Sequence, residues 1–147
     1  VEKKSLYYNN KETDLTNATK RYLEKVATYI KEDVSVKAIY IDGHTDSSGV
    51  KSENLLKSQQ RAQRVENYLL SQGVNKSLLV VRWHGERYQV ASNQNTSGKA
   101  KNRRVTIRLS KLPPKVNKIK PTQPVATNIT ESNAPPVVQK TSEPMVK

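Results

Sequence analysis

The residues best suited to chemistry in this sequence are a carboxylate and a guanidinium fifteen positions apart, Asp46 and Arg61. Asp46 lies in the run Gly43-His44-Thr45-Asp46-Ser47-Ser48-Gly49, and Asn54 follows eight positions later, seven before Arg61. At about 100° per residue, seven positions bring Asn54 and Arg61 within about 20° of one another on successive helical layers. Both would overlook the loop that carries Asp46. A carboxylate and a guanidinium meeting there suit a zwitterion, because the carboxylate takes an ammonium while the planar guanidinium fork takes a carboxylate. One such contact at about 4 Å is worth ~1 kcal/mol in bulk water and ~4 kcal/mol at an effective dielectric near 20, so enclosure decides whether it counts. The plainer reading leaves Asp46 closing an Asx-turn and Arg61 as a solvated helix residue.

Other chemistries find less support. His44 and His84 are the only histidines, without a metal-ligand spacing or a Glu placed to activate water, so no metal or hydrolase site is expected. Asp42 and Asp46 could form a carboxylate dyad, but no nucleophile accompanies them. There is no Cys, which removes disulfides, thiolate metal sites and a Cys nucleophile. No cofactor is implied. The formal charge of +13 favours an anionic partner or surface, and Lys99, Lys101, Arg103 and Arg104 cluster. Nucleic acid is nevertheless not expected, since no recognition-helix motif or aromatic stacking platform accompanies the charge.

The elements that must position these residues are legible from periodicity. Leu6 to Tyr8 reads as a short first strand. Leu15, Ala18, Tyr22, Val26 and Ile30 recur at helical steps, with Thr16 available as N-cap. Val34 to Asp42 reads as a strand that becomes apolar on both faces at Ile39 and Ile41. A second helix from about Ser52 carries Leu55, Ala62, Val65 and Leu69 on one face and stops at Gly73. Leu78 to His84 and Arg104 to Leu109 complete the strands, separated by a long loop. The order βαβαβ, then β, predicts a two-layer α/β sandwich with a mixed sheet and both helices on one face.

A boundary is expected near residue 111. All seven prolines lie beyond Leu112 and all five glycines before it. Residues 1–111 therefore read as one domain. Residues 112–147, rich in Pro, Lys and Thr, read as an extended flexible tail or spacer, since scattered Val and Ile cannot offset the entropy of ordering. No apolar run of about 18 residues suits a transmembrane helix, and Val1 is not followed by a signal-peptide pattern.

The run Gly43-His44-Thr45-Asp46-x-x-Gly49, then Asn54, Arg61-Ala62-x-x-Val65-x-x-Tyr68-Leu69, Asn93 and Asn102-Arg103-Arg104-Val105 resembles the OmpA C-terminal, peptidoglycan-binding family over roughly residues 6–110. Several elements at matched spacing make this far more specific than any single short motif. The resemblance implies non-catalytic recognition of the diaminopimelate of the peptidoglycan stem peptide, in the periplasm and associated with the cell wall. Asp46 and Arg61 match the family's principal gripping positions, Thr45 and Asn54 supporting ones, and Arg104 a basic residue near the same cleft. Val81 to Tyr88 and Asn102 to Leu109 resemble the last strands of a flagellar-motor member. That likeness implies a role anchoring stator or basal-body proteins. Gln89 stands where many members have Pro, and Lys57-Ser58 replaces the usual Leu-Ser.

Overall fold

The computed structural model describes residues 3–114. The expected tail falls, from Lys115 onward, outside the described residues. Four strands and three helices follow in the order β1 (Lys3–Tyr7), α1 (Asn17–Glu32), β2 (Ala38–His44), α2 (Lys51–Ser71), β3 (Leu79–Trp83), α3 (Thr96–Asn102) and β4 (Arg104–Ser110). A short 3-10 turn, Lys76–Leu78, leads into β3.

Helix α1 starts where the Thr16 side chain accepts a hydrogen bond from the Thr19 amide at 3.1 Å, which satisfies one of the free amides of the first turn. It buries Leu23, Val26, Ala27 and Ile30. The expected stripe shared Val26 and Ile30 with this face but included Ala18, which is exposed, and omitted Leu23 and Ala27. Strand β2 begins four residues later than its alternation suggested. Asp33 Oδ1 accepts from the Ser35 amide at 2.9 Å, and this Asx-turn holds the chain out of the sheet, with Val34 left 84% exposed.

Helix α2 ends in a Schellman arrangement: the Val74 amide donates to Leu69 O and the Gly73 amide to Leu70 O, with Gly73 at φ +91°. At its other end, β2 crosses α2 so closely that a Cβ on Gly43 would overlap the Ser58 carbonyl. That contact fixes how the strand-end loop meets the helix.

The sheet order is β1-β4-β2-β3, with β4 antiparallel to both neighbours and β3 parallel to β2. Ile41 lies opposite Ile107, whereas Asp42 lies opposite Thr106 and His44 opposite Arg104. Alternation therefore gives the sheet one apolar face and one polar face. The apolar face packs under the helices in a single core with Leu23, Val65, Leu69, Ile39, Ile41 and Val105, each fully buried. This is the expected mixed α/β sandwich, with α3 added inside the segment read as a long loop. Among the described residues no helix is long and apolar enough to cross a membrane.

Candidate functional site

The site grows from the end of β2. The Thr45 amide donates to Gly85 O at 2.8 Å and the His84 amide to Gly43 O at 3.0 Å, so the loop after β2 is tied to the end of β3. Asp46 follows, almost wholly buried. Its Oδ1 accepts from the Ser48 amide at 2.9 Å, an Asx-turn, and its Oδ2 accepts from Arg103 Nη1 at 2.9 Å. Burial works to raise the Asp46 pKa. The Ser48 amide and Arg103 outweigh it, and the carboxyl stays below its ordinary range.

Arg61 approaches the same loop from α2 and is completely buried. Its Nε donates to Glu12 O at 2.8 Å, Nη1 to His44 O at 3.2 Å and Nη2 to Asn9 O at 3.2 Å, while the guanidinium lies 4.8 Å from the Tyr8 ring centroid. Burial lowers its pKa to about 10, opposed by Tyr8, Asp46 and Glu12. Asp46 and Arg61 thus feel one another's charge, but the direct ionic partner of Asp46 is Arg103. Arg103 Nε also donates to Tyr8 O at 2.8 Å, which places both guanidiniums around the same tyrosine. In the sequence Arg103 stands out only within its motif and the basic cluster of Lys99, Lys101, Arg103 and Arg104. The signal that could have found it is period two: it lies two residues before Val105, on the side of β4 that faces the helices.

Arg104 points to the opposite face. It donates to Tyr88 O at 3.1 Å and, at 3.4 Å, to Asn102 O, and the charges acting on it are those of Tyr7 and Asp42. On that face His84 Nε2 lies 2.8 Å from Asp42 Oδ1, and the His44 and His84 rings stack with centroids 5.0 Å apart. Both histidines belong to this polar cluster behind the loop. Asn102 ties the cluster to the site. Its Oδ1 accepts from the Val90 and Ala91 amides, and its Nδ2 donates to Asn93 Oδ1, which in turn accepts from the Ser47 amide at 3.3 Å.

Thr45, the residue before Asp46, and Asn54, which approaches the same loop at Gly49, have unused capacity. Asn54 Nδ2 donates to Glu86 Oε1 at 2.9 Å, but Asn54 Oδ1 and Thr45 Oγ1 are buried without a hydrogen-bond partner. A buried polar atom left unpaired costs about 1–3 kcal/mol, which a ligand could recover. A hollow of about 350 Å³ beside this edge is lined by Leu55, His84, Gly85 and Glu86 among others. A larger groove of about 540 Å³ runs along α2 past Arg64 and Tyr68. Asp46 and Arg61 line neither.

A family model described as the OmpA family matches residues 7–103, which include the Asp46 loop, helix α2 with Arg61, and Arg103. The chain belongs to the OmpA family. Among curated proteins it is similar to the sodium-type flagellar protein MotY of Vibrio parahaemolyticus, 33% identical over 106 residues that cover 72% of this chain and 36% of MotY. It is similar also to the probable lipoprotein YiaD of Escherichia coli, 39% identical over 109 residues, 71% of this chain and 49% of YiaD. This OmpA-family chain therefore spans half or less of the length of these curated relatives. Among solved structures, the peptidoglycan-associated lipoprotein of Burkholderia pseudomallei superposes with a TM-score of 0.68 at 26% identity, covering 72% of this chain and 89% of that one.

Proposed function

We propose that this OmpA-family chain binds peptidoglycan without catalysis, by gripping the diaminopimelate of the stem peptide at the Asp46 loop. The observation that carries the reading is a buried carboxylate paired with Arg103 and within the field of Arg61, on a loop where Thr45 Oγ1 and Asn54 Oδ1 are buried with nothing to bond. Asp46 takes the ligand ammonium with lone pairs not used by Ser48 and Arg103. Each arginine has five N–H donors, of which Arg61 engages three and Arg103 two; Arg103, whose side chain keeps some exposure, offers its free donors to the ligand carboxylate, and the enclosed Arg61 adds its positive charge behind the loop. Thr45 Oγ1 and Asn54 Oδ1 complete the ligand's hydrogen bonds, and Arg104 holds the 88–102 segment that braces the loop.

The likeness to a peptidoglycan-associated lipoprotein supports the ligand, and the likeness to MotY supports a periplasmic, wall-associated anchor for the flagellar motor or basal body. A general tether between outer membrane and wall is the second reading, favoured by the higher identity to the lipoprotein YiaD. Co-sedimentation with purified sacculi tests the binding reading. The native chain co-sediments and is displaced by free meso-diaminopimelate, whereas Asp46→Asn stays in solution. Retention of Asp46→Asn on sacculi contradicts the reading. Deleting the gene separates the two anchoring roles: lost motility with an intact envelope marks the motor, and envelope leakage with normal motility marks the tether.

A further inference from the structure

Two lysines beside the Asp46 cluster have no task in the grip described above. Lys57 stands one turn before Arg61 on α2, half-buried, and is acted on by the charges of Arg61, Asp46, Lys11 and Glu53. Burial first, then Arg61, lowers its pKa, so the native chain holds this ammonium at a cost. Lys11 has φ +67°, the only positive φ outside glycine among the described residues. It directly precedes Glu12, whose carbonyl holds Arg61. Such backbone strain persists only where the surroundings enforce it, and it concentrates at binding sites. Among the described residues neither ammonium donates a hydrogen bond or reaches a carboxylate at ion-pair distance. Two unpaired like charges, one from the β1–α1 loop and one from α2, border a cluster whose own carboxylate is already engaged by Arg103.

We propose that Lys11 and Lys57 form a second anion subsite beside the Asp46 cluster, which takes a peptide carboxylate additional to the diaminopimelate zwitterion. The inference rests on the peptidoglycan reading and narrows it. The preferred ligand is then a stem peptide with free carboxylates, and amidated peptide is disfavoured.

The test is fluorescence-anisotropy competition with two synthetic tetrapeptides, L-Ala-γ-D-Glu-meso-diaminopimelate-D-Ala and its analogue amidated at the carboxylates outside the diaminopimelate zwitterion. The native chain binds the free form about tenfold more tightly, a difference of ~1.4 kcal/mol. Lys57→Leu, and Lys11→Asn, which tolerates positive φ, cut that preference to less than about threefold while the amidated peptide binds as before. Lys57→Arg keeps the preference. Equal affinity of the native chain for the two peptides, or variants that weaken both alike, overturns the subsite alone. Failure of the folded native chain to bind either peptide overturns the peptidoglycan reading with it.

Discussion

Arg61 is the largest fully buried side chain among the described residues, and three backbone carbonyls accept hydrogen bonds from it. Removing it strands the buried His44 O, at about 1–3 kcal/mol, takes a donor from the part-buried Glu12 O and Asn9 O, and opens a cavity under Tyr8. Arg61→Ala is therefore expected to cost at least ~3 kcal/mol of stability in urea denaturation, so its loss of binding would not by itself report on ligand contact. Asp46→Asn is the cleaner probe. It keeps an oxygen for the Ser48 amide and removes the charge that faces Arg103, for an expected cost of about 1–3 kcal/mol. The sequence pointed to Asp46 and Arg61 because both stand in a spaced motif, whereas the guanidinium in direct contact with Asp46 is that of Arg103. Which guanidinium it meets was not legible, because that depends on where β4 begins relative to the loop. Arg103 sits at the C-terminal cap of α3, just before β4, and its side chain crosses to the helix side of the sheet.

At the scale of elements, the site is set by two close approaches. Gly43→Ala pushes a methyl group into the Ser58 carbonyl and toward Ala62, so β2 and α2 must separate. It is expected to lower stability by more than ~2 kcal/mol, read as a reduced denaturation midpoint with an unchanged fold by circular dichroism. Asn102→Ala has a different signature. The Val90 and Ala91 amides and the Asn93 side chain lose their partner, and the Ser47 amide loses its brace one step removed. Sacculus affinity should fall about three- to tenfold with β2 and α2 intact, visible as faster amide exchange confined to residues 88–95 and 46–48. Helices α1 and α2 were legible because apolar stripes repeat along them. Helix α3 was not: its seven residues, Thr-Ser-Gly-Lys-Ala-Lys-Asn, carry no apolar stripe, and it is held by the Asn95 cap on Gly98 at 2.7 Å and by the Asn102 side chain. Strand β2 was overextended for a similar reason, since alternation continues through Val34 and Val36 although Asp33 turns the chain there.

For the molecule as a whole, the polar face of the sheet makes stability depend on pH. Burial first, then the charges of Arg104 and His84, pushes His44 down from 6.5 to about 3. Between those values the unfolded chain binds a proton that the native chain does not. Stability is full above about 6.5 and falls by up to ~1.4 kcal/mol per pH unit until His44 itself titrates. Asp42 is held at about 2, its burial outweighed by His84 and Arg82, so its contribution is present above 3.8 and lost as pH falls toward 2. Urea titrations at pH 7.5 and 5.0 should show a weaker chain at the lower pH, and His44→Gln should flatten that difference. The two-layer architecture was legible because β2, β4 and the two long helices announce themselves by periodicity, whereas β1, expected at Leu6 to Tyr8, spans Lys3–Tyr7, where three polar residues hide it. The division of labour between the faces emerged only with the register, which sets Arg104 with the histidines and leaves Arg103 to Asp46. The decisive measurement is a two-dimensional amide spectrum of the native chain titrated with meso-diaminopimelate. Shifts concentrated at residues 45–48, Asn54, Arg61 and Arg103 are the predicted result. Shifts confined to the groove along Arg64 and Tyr68, or none at saturating ligand, would contradict a grip centred on Asp46.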